Sequence, residues 1–260
     1  MYPELFHIGS FPVYSYGFMI ILGVVLSFIY LFIHKAEFGL SVDKISEFFL
    51  YCFGGVFIGG KLFYFLERPM YYLRNMNEYF SDFGQGFVFY GSFLLTIPIL
   101  IWWFKRNKLP ILYAFDFTAV CGALVHGFGK IGCFLAGCCH GIQCDAQWGV
   151  VFTNPKSVAS PLNYPVYPVQ LWDASVILLI AAFLIYYRTK KQFDGQLFLI
   201  YALIYSIARF FTEYYRGDDS RGFVIKDHLS YGQFVAILII LACSYFYVRL
   251  YLKSKSVIEK

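Results

Sequence analysis

Charge is scarce in this chain. Only 14% of its 260 residues are Asp, Glu, Lys or Arg, where a soluble domain carries about a quarter. With 59% of the residues apolar, that shortage excludes an ordinary soluble globular protein. Basic clusters are missing too: the formal net charge of +5 is scattered, which argues against a nucleic-acid partner and fits loops facing anionic lipid. No internal repeat, low-complexity run or CxxC pair occurs. The N-terminal stretch MYPELFHIGSFPVYSYG lacks a basic n-region and carries Glu4, so no cleavable signal peptide is expected.

What remains is apolar and aromatic. The mean hydropathy is +0.60, and 31 Phe and 23 Tyr suit lipid-facing surfaces and interfacial belts. The expectation is an all-α, polytopic membrane helix bundle forming one domain over 1–260. About seven transmembrane segments fall near 13–34, 45–66, 86–104, 111–133, 168–187, 195–215 and 231–251, each close to the length that spans a bilayer. The connections 67–85 and 134–167 are rich in aromatic, Pro and Asn residues and read as structured, interfacial segments. With the N-terminus outside, the inner loops carry twelve Lys and Arg residues and the outer connections six. That bias predicts an N-out, C-in orientation.

Three basic residues fall inside predicted spans: Lys61, Lys130 and Arg209. A cation at membrane depth costs a few kcal/mol unless an anion meets it, so such residues mark functional sites by default. Lys130 lies in the stretch Gly122–Gly141, GALVHGFGKIGCFLAGCCHG, one turn after His126. The glycines there allow backbone or ligand to approach closely. In IYALIYSIARFFTEYYRGDD, Tyr205, Arg209, Glu213 and Arg216 follow at helical spacing and form one polar stripe. A self-neutralised pair snorkelling to the surface explains Arg209 and Glu213 alone. Adding Lys130 at similar depth leaves net positive charge suited to a lipid phosphate.

Ordered pieces over nearly the whole chain then resemble the bacterial prolipoprotein diacylglyceryl transferase family. FPVYSYGFMIILGV resembles the family's first-helix entry, with Tyr16 and Gly17. GGVFIGGKLFYFL resembles its glycine-rich second helix, with Lys61 for the usual arginine. In GQGFVFYGSFL, Tyr90 stands where the family has a histidine. GKIGCFLAGCCHG resembles the signature loop, keeping Gly129, Gly132, Phe134, Gly137 and Gly141, with Lys130 for arginine, Cys133 for asparagine and Cys138 for glutamate. YPVQLWD keeps Gln170, YSIARFFTEYYRGDD keeps Tyr205, Arg209, Glu213 and Arg216, and LSYGQ carries Gln233.

The resemblance implies transfer of a diacylglyceryl group from phosphatidylglycerol to the lipobox cysteine of a prolipoprotein signal peptide. This takes place at the outer leaflet of the bacterial inner membrane, without a cofactor or metal. Arg209 and Lys130 are expected to hold the phosphodiester, with Glu213 orienting Arg209. Tyr16, Tyr205, Gly132, Cys133, Gly141, Gln170, Arg216 and Lys61 are expected to bind the lipid, and Tyr90 or His126 to accept the thiol proton, with His140 a further candidate. Lys is a point charge where Arg is a fork, so the substitutions leave one alternative, a paralogue that binds anionic phospholipid without this transfer or serves another acceptor. The embedded charges leave a second, a transporter whose ion path they mark. The run C-x4-C-C-H-x3-C from Cys133 to Cys144 is open to packing, a disulfide through Cys144 or metal. Vicinal cysteines and the missing CxxC weigh against metal.

Overall fold

In the computed structural model the described residues are 1–81, 88–145, 147–217, 222–226 and 228–258. Outside them lie the end of the connection expected at 67–85, residue 146 of the connection at 134–167, the start of the segment near 86–104, the Asp218–Asp219 pair, and the loop cations Arg221 and Lys260. The chain divides into two compact units, Met1–Tyr30 with Phe115–Lys260, and Leu31–Ala114.

In the larger unit a short hairpin, β1 (Glu4–Ile8) and β2 (Phe11–Tyr14), leads into α1 (Ser15–Ile33). Helix α7 (Ile111–Ala136) is followed by a loop segment pinned by β3 (Val150–Val151) and β4 (Pro165–Val166). Then come α8 (Val169–Tyr187), α9 (Gln196–Thr212), the hairpin β5 (Phe223–Ile225) and β6 (Leu229–Ser230), and α10 (Tyr231–Ile258). Helices α7, α8 and α9 share a core in which Ala123, Ile177 and Ala181 are sealed by Leu124, Tyr201 and Tyr205. Helix α1 meets α7 where Gly23 faces backbone: a Cβ there would stand 2.8 Å from Val125 Cα. Small residues at such crossings are how membrane helices gain contact without a hydrophobic drive. Asp116 fixes the entry to α9, its carboxylate accepting from the Gly195, Leu197 and Phe198 amides and from Lys191 Nζ at 2.7 Å.

The smaller unit contains α2 (Lys35–Phe38), α3 (Val42–Glu67), α4 (Pro69–Arg74), α5 (Met76–Ser81) and α6 (Phe89–Arg106). Helices α3 and α6 pack through facing glycines, Gly59 and Gly91, where any Cβ would collide with the opposite backbone. Ser92 Oγ donates to Val56 O at 2.8 Å across the same seam. The expected connection at 67–85 is ordered as α4 and α5 over its described part.

Among the described residues, six helices (α1, α3, α7, α8, α9 and α10) are long and apolar enough to cross a membrane. The protein is therefore a polytopic helical membrane protein. The segment expected near 86–104 forms α6 over its described part, which ends on Lys105 and Arg106 and falls outside that group of six.

Candidate functional site

Lys130, Arg209, Glu213 and Arg216 all take part in ion pairs in the larger unit, and the three cations share electrostatic reach of Tyr205. Lys130, in the C-terminal half of α7, places Nζ 2.7 Å from Asp173 Oδ2, and Asp173 on α8 is only 2% exposed along its side chain. The same oxygen lies 3.9 Å from Arg216 Nη1. One buried carboxylate thus serves two cations from two other parts of the chain, which compensates charges that apolar surroundings penalise when alone.

Arg209 and Glu213 form the i,i+4 ion pair expected from their spacing. The helix itself ends sooner than the stripe predicts: α9 stops at Thr212, and Glu213–Tyr215 is a 3-10 turn. Glu213 Oε1 accepts from Ser230 Oγ at 3.0 Å. Ser230 also caps α10, taking the Gln233 amide at 3.1 Å while Gln233 Oε1 takes the Ser230 amide at 3.1 Å. This reciprocal pair is a capping box, and it explains Gln233 in LSYGQ. Gly232 allows the helix start to approach so closely that a Cβ would stand 2.7 Å from Glu213 Oε1. Arg209 Nη1, by contrast, is buried without a hydrogen-bond partner among the described residues. The constellation sums to three cations against two carboxylates, one net positive charge.

The cysteine loop is tied to Arg216 by backbone pairing. The Gly217 amide donates to His140 O, and the Ile142 amide to Tyr215 O at 2.9 Å. Gly141 sits opposite Arg216 at a point where a Cβ would meet Tyr215 O at 2.5 Å. Gln170, fully buried, donates from Nε2 to Cys138 O at 2.8 Å. Hydrogen bonds from the Cys133 and Cys138 thiols, and then from Arg216, hold the Cys139 thiol well below its ordinary pKa. His140 Nδ1 lies 2.8 Å from Gly141 O; a carbonyl only accepts, so that nitrogen carries the proton.

The aromatic residues surround the same charges. Tyr205 lies within electrostatic reach of Lys130, Asp173, Arg209 and Arg216, and its ring meets that of His126 at 4.8 Å. His126 Nδ1 is 2.8 Å from Tyr201 OH. Tyr16 begins α1 beside Gly132, whose Cβ would meet Tyr16 Cα at 3.0 Å, and its hydroxyl is within reach of Cys133, Cys138 and Cys139. Lys61 and Tyr90 belong to the smaller unit. Lys61 is buried there, with Nζ 5.6 Å from the Tyr64 and Tyr79 rings, and Tyr90 near the start of α6 is 70% exposed.

Comparison with known proteins bears on this arrangement. The family model described as prolipoprotein diacylglyceryl transferase matches residues 3–249. The chain belongs to the prolipoprotein diacylglyceryl transferase family. Among its relatives, the phosphatidylglycerol–prolipoprotein diacylglyceryl transferase of Clostridium tetani is 34% identical over 241 residues, 93% of this chain and 94% of that protein. A second, numbered 2, from Clostridium perfringens is 33% identical over 234 residues, covering 90% of each chain. That of Aliarcobacter butzleri is 29% identical over 262 residues, 95% of this chain and 92% of its own.

For a member of the prolipoprotein diacylglyceryl transferase family, the residue that the sequence reading missed is Asp173. Its signal was present in YPVQLWD, an acid inside an apolar helix one turn after Gln170. Tyr201, the partner of His126, and Ser230, the partner of Glu213, were missed as well, because side chains brought together across helices leave no spacing in the sequence.

Proposed function

We propose that this chain transfers a diacylglyceryl group from phosphatidylglycerol to the lipobox cysteine of an exported prolipoprotein, releasing glycerol phosphate. The observation that carries the reading is the net positive constellation with a buried donor on Arg209 that has no partner among the described residues. A buried guanidinium nitrogen without an acceptor is costly, and a phosphate oxygen of the lipid supplies one.

The chemistry sets what the residues must do. The acceptor sulfur attacks the diacylglyceryl carbon that bears the phosphate, the carbon–oxygen bond breaks, and its electron pair stays on the departing glycerol phosphate. The phosphate therefore gains negative charge during the reaction. Cations fixed before the reaction favour that state over the bound lipid. Arg209 and Lys130 face the phosphate, Glu213 orients the Arg209 fork, and Asp173 keeps Lys130 and Arg216 from drifting apart. Tyr205 and Tyr16 donate to the head group. Gly132, Cys133, Gly141 and Gln170 shape the α7 end against which it lies. The thiol proton passes to His126, through Nε2 since Nδ1 meets Tyr201.

The two units work as one integral membrane enzyme, N-out and C-in, in the bacterial inner membrane, with the constellation toward the outer leaflet. Complementation tests the reading. In cells depleted of their own transferase, this chain restores growth and lipoprotein maturation, and its Arg209→Ala variant does not. Failure of a membrane-inserted wild-type chain would point instead to a lipid-binding paralogue.

A further inference from the structure

The signature loop of this chain gathers three cysteines whose thiols take no part in the transfer step, although Cys133 lines the proposed lipid site. Cys133 sits in the last turn of α7, and Cys138 and Cys139 follow just beyond the helix end. Their three sulfurs all lie within 4.8 Å of one another. All three residues are half-buried and carry free thiols.

Neighbouring residues in extended chain point their side chains to opposite sides, which is why C-x4-C-C reads poorly as a common ligand set. The backbone removes that objection. Gly137, at φ +90°, stops the helix, and Cys139, at φ +62°, takes the left-handed conformation uncommon for a residue with a side chain. Two such turns in three residues bring both vicinal sulfurs back to Cys133. The loop is held in that shape from outside: Gln170 grips Cys138 O at 2.8 Å, and the Gly141 amide donates to Tyr167 O at 2.8 Å.

We propose that Cys133, Cys138 and Cys139 form a three-thiolate site for a thiophilic d10 cation of the Zn(II) or Cu(I) class. Three sulfurs bound to one ion at about 2.3 Å stand roughly 3.8–4 Å apart, so the cluster needs to contract by at most about 1 Å. Sulfur-only ligation selects soft ions over Mg(II) or Ca(II). Each thiol gives its proton to solvent on coordination. Three thiolates around a divalent ion carry one net negative charge, and Arg216, within electrostatic reach of Cys139, stands against it. Three protein ligands leave a fourth position open for water or an exogenous donor.

The test uses the reduced, metal-free full-length protein in detergent, titrated with Cd(II) as a spectroscopic probe and with Zn(II) against a chromophoric chelator. The expected result is one ion per chain with a thiolate-to-metal charge-transfer band. The bound ion protects Cys133, Cys138 and Cys139 together from maleimide while Cys144 still reacts, as mapped by peptide mass spectrometry. Cys138→Ser weakens binding by more than about 100-fold, beyond what an outer-shell change causes, and Cys144→Ser leaves it unchanged. No stoichiometric binding by the wild-type chain overturns the proposal, as does binding unaffected by Cys138→Ser. Alkylation of the three cysteines at equal rates with and without ion does so too. Because the protection pattern is read on the wild-type chain, a serine variant that misfolds does not rescue the idea.

Discussion

Arg209 and Asp173 carry different duties although both are buried charges, and their variants separate them. Arg209 offers a fork of donors of which one nitrogen is unpartnered among the described residues. Lysine keeps the charge and loses the fork. Arg209→Lys should therefore reduce transfer by about 10²–10³-fold, the loss typical when one donor to a developing anion is removed, with unchanged folded yield by size-exclusion chromatography. Asp173 serves two cations, so Asp173→Ala leaves both without their shared carboxylate. Breaking a buried ion pair costs about 3–5 kcal/mol, and the thermal unfolding midpoint in detergent should fall along with turnover. The asymmetry between these residues was only half legible in the sequence. Arg209 and Glu213 are four apart and announce themselves, whereas Asp173 lies 43 residues from Lys130 and is linked to it by tertiary structure alone.

Helices reach each other here through small residues, and that is testable on a matched pair. Gly23 on α1 abuts the Val125 backbone, whereas a Cβ on Gly122 meets nothing within 4 Å. Gly23→Ala forces backbone apart and should destabilise by about 1–3 kcal/mol. Gly122→Ala should be neutral or slightly stabilising, since alanine is the better helix former; thermal unfolding of the two variants side by side reads the difference. Ser230 joins an element to the site, because one hydroxyl both caps α10 and donates to Glu213. Ser230→Ala should cost about 1 kcal/mol of stability and lower transfer further, through a Glu213 that no longer holds Arg209 square. Apolar runs of spanning length made the long helices legible. Their ends were less so: α9 gives way to a 3-10 turn at Glu213, so Arg216 reaches Asp173 from an extended segment and not from the helical face that its spacing suggests. The left-handed Cys139, which gathers the three sulfurs, has no sequence signal at all.

At the scale of the whole molecule, scarcity of charge was the most informative property of the chain. It made the membrane class plain, and it made each embedded cation conspicuous. Lys130 and Arg209 come from helices whose separation in sequence says nothing of their distance, yet both lie within electrostatic reach of Tyr205 and of His126. The central claim is that this shared positive field grips a lipid phosphate while the glycerol carbon passes to sulfur. Mass spectrometry of a model prolipoprotein, incubated with the purified chain in phosphatidylglycerol vesicles, tests it most directly. The account predicts a diacylglyceryl mass gain on the lipobox cysteine that disappears with Arg209→Ala. A wild-type chain that adds no such mass, or an Arg209→Ala variant that adds it at the wild-type rate, would contradict it.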